Sequence, residues 1–374
     1  MEAYSFDKAE LARYARHFAI PDFGLEGQEK LKNSSVLVVG AGGLGSPLLL
    51  YLAAAGIGKI GIVDFDVVDL SNLQRQVLYT VADIGQSKAV LAQQKLLALN
   101  PHLDIQVYQE AFTRENALQL VAQYDVVADG TDNFPTRYLV NDACVLTGKV
   151  NVYASIFRFE GQVSVFNLPD AEGNRGPNYR DLFPEPPPPD MVPNCAEGGV
   201  LGVLPGIIGS LQACEVIKVI SGVGEPLSGR LFLFDAAAFS TRVLKFPKNP
   251  HTTITELIDY YAFCGIHHTK ESMVNEMDIS VQDLWRMAQA KEDYQLLDVR
   301  EPYEFATDHL GGQLIPLDEL PTKLHLLPHD KKLIVHCRSG ARSKKAVKML
   351  RDNGFKQAYN LEGGILAWRE VFGV

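Results

Sequence analysis

The stretch Ser35-Val36-Leu37-Val38-Val39-Gly40-Ala41-Gly42-Gly43-Leu44-Gly45 decides how the first two-thirds of this chain is read. Four aliphatic residues in a row, with no polar alternation, suit a strand buried on both faces of a parallel sheet. The glycines after it permit a tight turn into a helix whose first N–H groups are free to meet phosphate oxygens. Downstream the same strand–helix rhythm repeats. A helix runs from about Leu44 to Ala55 and a strand from Ile60 to Val63, then a helix over Lys88–Leu99 and a strand over Ile105–Tyr108. A helix to Ala122 and the strand Val126–Ala128 close the series. This alternation predicts an α/β fold with a doubly wound, mostly parallel sheet.

Working outward, residues 5–33 read as helical, with Leu11, Tyr14, Phe18 and Ile20 on one apolar face. Further strands are expected around Val150–Ala154, Gly161–Phe166 and Arg230–Asp235. Between them, Phe183-Pro184-Glu185-Pro186-Pro187-Pro188-Pro189-Asp190 predicts an extended polyproline-type surface loop. Gly206–Ile220 is apolar enough for a core helix. Residues 248–275 show no clear period and read as a linker, which as a flexible chain would span roughly 30 Å. A fresh α/β unit occupies 276–374, so the expected domains are 1–247 and 276–374.

Bulk properties narrow the function. A net charge of −10 over 374 residues argues against nucleic-acid binding, which demands a basic surface. With 47% hydrophobic and 21% charged residues the composition is globular, and no run of about 18 apolar residues predicts a membrane span. Met1–Ser5 lacks the basic start of a secretory signal. Cys144, Cys195, Cys214, Cys264 and Cys337 are odd in number and contain no C-x-x-C pair, which suits a reducing cytoplasm.

Taken alone, Gly40, Gly42, Gly43 and Gly45 fit an NAD-dependent oxidoreductase as well as an ATP-using enzyme. Asp64 ends the second strand about 20 residues on, where a carboxylate can take ribose hydroxyls. The next twenty-odd residues favour ATP. Asp66, Asn72, Arg75 and Gln76 cluster, and Lys88 opens the next helix. Two cations suit a triphosphate better than a pyrophosphate, and Asp132 in Gly130-Thr131-Asp132-Asn133 is the natural partner of Mg²⁺.

These residues resemble the E1-like adenylyltransferases of the MoeB/ThiF type, over about residues 10–247. The matching pieces are Arg13–Arg16, the Gly40–Gly45 loop, Asp64–Asp66, Ser71–Gln76, Lys88, Gly130–Asn133 and Cys195-Ala196-Glu197-Gly198-Gly199-Val200. The resemblance implies a Rossmann-like E1-type domain and ATP as nucleotide. Its implied substrate is the C-terminal glycine carboxylate of a small ubiquitin-like sulfur-carrier protein ending in Gly-Gly. By position, Asp64 would hold the ribose, Arg75 and Lys88 the phosphates, and Asp132 the Mg²⁺, with Arg75 and Asp132 carrying the catalysis. Arg16 would act in trans across a homodimer. Adenylation converts a poor electrophile into one with AMP as leaving group, a task of alignment and charge neutralisation.

Cys195 comes after the proline-rich loop and precedes an apolar helix, a place where a thiol is activated. The resemblance suggests it as an acyl or disulfide partner in sulfur transfer; the other reading is a buried structural cysteine. Cys144, Cys214 and Cys264 take that structural reading. Many family members also bind zinc through two C-x-x-C pairs. Here the corresponding places read Asn178-Tyr179-Arg180-Asp181 and His251-Thr252-Thr253-Ile254, so no structural zinc is expected.

Near the end, the apolar strand Leu333-Ile334-Val335 delivers His336-Cys337-Arg338-Ser339-Gly340-Ala341-Arg342 ahead of a helix over Ala341–Leu350. That places the Cys337 sulfur in a nest of backbone N–H groups, with Arg338 and Arg342 nearby to favour a thiolate or persulfide. Only four residues separate Cys337 from Arg342. Tyrosine-type phosphatases use a longer loop to cradle phosphate, whereas this one suits a single outer sulfur. The stretch resembles a rhodanese-type sulfurtransferase, supported by Leu297–Phe305, His309–Gly312 and Leu361–Trp368. Asp298 and Arg300 read as structural.

Together the halves resemble the MoeB–rhodanese fusions of the molybdopterin-synthase sulfurylase type. The resemblance implies adenylation of the carrier, attack by a Cys337 persulfide and release of a thiocarboxylate. A separate persulfide donor such as a cysteine desulfurase would load Cys337. Two other readings stay open: an NAD-dependent oxidoreductase, and a non-catalytic scaffold that binds a ubiquitin-like protein. Molybdopterin, thiamine, cysteine and siderophore carriers all end alike, so the sequence leaves the carrier open.

Overall fold

A computed structural model describes residues 6–187, 199–265 and 277–373. The chain divides into two compact units, Met1–His268 and Thr269–Val374. The first is built on strands β1 (Ser35–Val39), β2 (Lys59–Val63), β3 (Asp104–Tyr108), β4 (Val126–Asp129) and β5 (Val150–Phe157). Three more complete it: β6 (Glu160–Phe166), β7 (Arg230–Asp235) and β8 (Ser240–Lys245). Their order in one sheet is β3-β2-β1-β4-β5-β6-β7-β8, parallel through β5 and antiparallel beyond it.

Order and direction come from the residues. Val36, Leu37, Val38, Ile60, Ile62 and Val127 have no solvent exposure, so the central strands are covered on both faces. Each such aliphatic side chain contributes about 1.5–3 kcal/mol on burial. The helices Gly45–Ala55 and Lys88–Leu99 cover one face together with Leu204–Ser221, and Phe134–Thr147 lies on the other. The order reverses between β1 and β4, and the C-terminal ends of the parallel strands open there into a crevice.

Leu204–Ser221 is long and apolar enough to cross a bilayer by length and composition, but it is a core helix here. Gln212, fully buried on it, donates from Nε2 to the carbonyls of Asp129 and Val152, pinning the helix to the strands beneath. β8 has no apolar alternation to announce it, because all six residues are exposed at the sheet edge.

Residues 254–265, which read as part of a linker, pack on the first unit. Tyr260 and Cys264 are buried there, with Leu257, Ile258 and Phe263 against the same cluster. The segment shows no helical or strand period because it touches the core through single anchors. The polyproline stretch is described only to Pro187, and Cys195 lies outside the described residues.

The second unit is a five-stranded, all-parallel sheet. Its strands are β9 (Asp278–Ile279), β10 (Tyr294–Asp298), β11 (Gln313–Leu314), β12 (Lys332–His336) and β13 (Ala358–Leu361), in the order β11-β10-β12-β13-β9. β12 is the central strand and leads straight into Cys337. Asp298 at the end of β10 is fully buried and forked by Arg300, whose Nε and Nη2 reach its carboxylate at 3.0 and 2.6 Å. That geometry fits the structural role expected of the pair.

Candidate active sites

A cavity of about 740 Å³ occupies the crevice of the first unit. Its walls carry Gly40, Gly42, Gly43, Asp64, Asp66, Asn72, Arg75, Gln76, Lys88 and Asp132, drawn from separate strand ends and the Ser71–Gln76 turn. Gly45 belongs to the motif but does not line the cavity. A Cβ on it would meet the Gly40 carbonyl oxygen at 2.0 Å, so its role is to let helix and strand pack closely. Arg16 is exposed on the short helix Ala15–Phe18 and does not line its own chain's cavity.

Gly40 has φ +94°, the left-handed conformation that turns the strand into the loop. Asp64 ties that loop to β2: Oδ2 accepts from the Ala41 N–H at 2.7 Å and Oδ1 from the Asp66 N–H at 2.8 Å. Burial pushes its carboxyl above the usual range, against those two hydrogen bonds and the charge of Lys88. A carboxylate has about four lone-pair sites, so each oxygen can still accept a hydroxyl.

Lys88 is buried and its ammonium lies 3.0 Å from the half-exposed Asp66 carboxylate. Arg75 donates to the Ser71 carbonyl at 3.0 Å, which holds its guanidinium on the cavity side of the turn. Gln76 is buried, yet its Oε1 has no hydrogen-bond partner, an acceptor left on the cavity wall. Asp132 is exposed on the cavity wall, where a carboxylate suits a cation that keeps most of its water.

Two groups escape sequence reasoning. The Tyr79 hydroxyl lies 2.9 Å from the Ala41 carbonyl and 3.1 Å from that of Lys88, clamping the glycine loop to the lysine helix. An aromatic between polar turns gives no such signal in sequence. Phe112 and Thr113 line the cavity in the loop after β3. The rule that ligands sit beyond the carboxyl ends of parallel strands was the signal that could have found them.

In the second unit Cys337 is 1% exposed. Its Sγ accepts from the Gly340 N–H at 3.2 Å and lies 3.4 Å from the Ser343 hydroxyl. Gly340 takes φ +94° to aim that N–H inward. Ala341 starts the helix Ala341–Asp352, so the sulfur sits at its N-terminal end. Arg338 and Ser339 are exposed on the loop. Arg342 is committed elsewhere: its Nη1 and Nη2 donate to the two oxygens of Glu304 at 2.6 and 2.7 Å. That fork raises the Arg342 pKa further, and the Cys337 sulfur adds to the rise from nearby. Backbone N–H and Ser343, rather than arginine, make the contacts to Cys337.

Residues 14–255 match the ThiF family, and 280–371 match the rhodanese-like domain. The chain belongs to the ThiF family. It carries the rhodanese-like domain as its second unit, and it is an adenylyltransferase and sulfurtransferase of the E1-like type. It is 49% identical over 371 residues to a probable adenylyltransferase/sulfurtransferase MoeZ of Mycobacterium tuberculosis, covering 98% of this chain and 94% of the relative. It is 43% identical to the adenylyltransferase and sulfurtransferase MOCS3 of Drosophila grimshawi, over 96% and 84% of the two chains. It is also 54% identical to a sulfur carrier protein adenylyltransferase of Thermus thermophilus, covering 69% of this chain and 98% of that one. Among solved structures, E. coli MccB with ATP shares the fold, with a TM-score of 0.56 at 22% identity over 65% of this chain and 74% of MccB.

The stretch Asn178–Asp181, which carries no cysteine, is held together by its own carboxylate. Asp181 accepts from the Asn178 N–H and Nδ2 at 2.7 and 2.9 Å, and from the Asn249 N–H at 3.2 Å. One side chain thus links this turn to Asn249, two positions ahead of His251. Cys144 is fully buried and burial pushes the Cys264 thiol up to about 11, as for structural cysteines, whereas Cys214 is exposed on its helix rather than enclosed.

Proposed function

We propose that the first unit uses ATP and Mg²⁺ to adenylate the C-terminal glycine carboxylate of a small ubiquitin-like sulfur-carrier protein. The second unit then delivers sulfur from a Cys337 persulfide to give a thiocarboxylate. The observation that carries this reading is one cavity lined together by the glycine loop, Asp64, Arg75, Lys88 and Asp132. An NAD-dependent oxidoreductase has no use for that cation and carboxylate set, and a scaffold has no use for a cysteine whose sulfur takes the Gly340 N–H at a helix N-terminus.

In the first step a carboxylate oxygen of the carrier attacks the α-phosphorus and pyrophosphate leaves. Arg75 and Lys88 would draw off charge developing on the phosphates, which is worth most where the groups are fixed in advance. Asp64 would hold the ribose hydroxyls and Asp132 would hold Mg²⁺, which supplies charge neutralisation at the phosphates when bound. In the second step the outer persulfide sulfur attacks the acyl carbon, AMP leaves, and an acyl disulfide forms. A second thiol, for which Cys195 is our candidate, attacks the Cys337 sulfur, freeing the thiocarboxylate and leaving a disulfide for a cellular thiol to reduce. A cysteine desulfurase or similar donor would reload Cys337.

We further propose a homodimer in which Arg16 completes the partner's site, consistent with its exposure away from its own cavity. A cytoplasmic location fits the four free cysteines among the described residues. A role in molybdenum cofactor biosynthesis is the pathway reading we favour among the carriers. ATP–pyrophosphate exchange with Gly-Gly-terminated carriers tests the first step. Exchange that vanishes when the glycine tail is deleted supports the reading, and absence of exchange with every carrier overturns it.

A further inference from the structure

The ThiF match stops at residue 255, but the chain does not leave the cavity there. Asp259, Tyr260 and Tyr261 line the same cavity as the glycine loop. The segment is firmly seated. Tyr260 is 3% exposed and its hydroxyl donates to Asp142 Oδ2 at 2.8 Å. Asp142 is itself forked by Arg180 at 2.9 and 2.7 Å. Phe263 meets Tyr138 edge-on at 5.1 Å, with the Arg180 guanidinium 4.6 Å from its ring centre. Asp259 caps the turn by accepting from the Ala262 N–H at 3.0 Å.

Successive residues on a helical turn point about 100° apart. With Tyr260 drawn inward to Asp142, Tyr261 is left on the cavity wall, 47% exposed. Its place along the cavity is fixed by what occupies the rest. Arg75, Lys88 and the glycine loop form the phosphate end, and Asp64 marks the ribose. The rest of the lining includes Phe112 and Thr113 after β3, flanked by Glu110, Arg114 and Glu115, and Pro135 and Leu139 on the Phe134–Thr147 helix. Asp259–Tyr261 sits on that same helix. Phe112 and Leu139 share a hydrophobic cluster with Tyr260, and they give this part of the cavity an apolar surface suited to a flat base.

We infer that Tyr261 is the outer wall of the base subsite, an aromatic face laid against the adenine of ATP. It is a positioning residue supplied by the segment just before the connection to the sulfur-transfer unit. The inference rests on the proposed ATP site in this cavity. It adds that the ATP site is completed by chain beyond the ThiF-matched region, so the root of the inter-unit connection is seated at the nucleotide.

Titration calorimetry on the full-length protein with Mg²⁺ tests this, using ATP and inorganic tripolyphosphate as separate ligands. Y261A should weaken ATP about tenfold, the scale of one lost base–aromatic stack, and leave tripolyphosphate binding unchanged. Y261F keeps the ring and should bind ATP as the parent does. Equal weakening of both ligands, or no weakening of ATP, overturns the inference. A parent protein that binds ATP no better than tripolyphosphate overturns the nucleotide reading itself, a result distinguishable because it appears before any substitution.

Discussion

The cavity proposed for the nucleotide and the loop proposed for the sulfur meet opposite demands with the same device, a parallel strand ending at a helix N-terminus. The cavity is wide, and its charged groups are either already paired, like Lys88 with Asp66, or open to solvent, like Asp132. The loop encloses one atom: Cys337 is almost fully buried and touched by Gly340 and Ser343. A site for a large polyanion must keep its charges accessible until the ligand arrives. A site for one sulfur can complete its contacts in advance. The difference teaches that the glycine at each strand end is read by what surrounds it, for Gly40 and Gly340 share a φ of +94° in an open cavity and a closed loop.

If the two sites are chemically separate, damage to one should spare the first reaction of the other. Cys337→Ala is the most severe test: thiocarboxylate formation should fall below detection while ATP–pyrophosphate exchange keeps its parental rate. Loss of exchange in that variant would merge the two sites and break the comparison. Lys88→Met comes next, removing a fixed cation from the phosphate end. Exchange should drop about 10²–10³-fold. Thiosulfate-to-cyanide sulfur transfer, read on the same preparation, should not change.

The contrast also predicts how each site depends on its supports. Burial raises the Glu304 carboxyl, but the hydrogen bonds and charge of Arg342 outweigh that and hold it below its ordinary value. A depressed carboxyl contributes stability above its unfolded pKa and loses it as pH falls through the folded value. Glu304→Gln should therefore destabilise the second unit by about 2 kcal/mol at neutral pH, a buried-pair loss discounted for partial exposure. Urea melts of parent and variant should converge in acid, below the depressed value. A gap that persists there would assign the effect to packing instead.

The smallest effect is expected at Tyr79. Removing its hydroxyl leaves the Ala41 carbonyl short of a partner, so Tyr79→Phe should cost about 1 kcal/mol and loosen the glycine loop. The measurable sign is a raised KM for ATP with kcat little changed. An unchanged KM would show that Asp64 alone holds the loop.

Much of this was legible in the residues, and the boundary of legibility has a physical form. The alternation from Val36 to Ala128 announced the parallel sheet because covered strands must be continuously apolar. Cys337 and Gly340 announced the sulfur loop because few other residues do that work. The motif places Gly45 with the glycine loop, and only the 2.0 Å approach of the Gly40 carbonyl to a Cβ there shows how closely helix and strand pack. The sequence places Arg342 beside the sulfur, and only the fold shows that Glu304, 38 positions away, holds its guanidinium there. β8 went unannounced because an exposed edge strand carries no burial pattern.

By itself the sequence determined the class of fold, the two chemistries and many of the residues that line the first unit's cavity. Those depend on local pattern: a strand's apolarity, a glycine's torsion, a cysteine's neighbours. Only the tertiary structure decided which partners compete for a charge, which glycine is packing, and that Asp259–Tyr261 returns to wall the first unit's cavity. Such choices rest on contacts between residues distant in the chain, and pattern along the chain does not encode who meets whom.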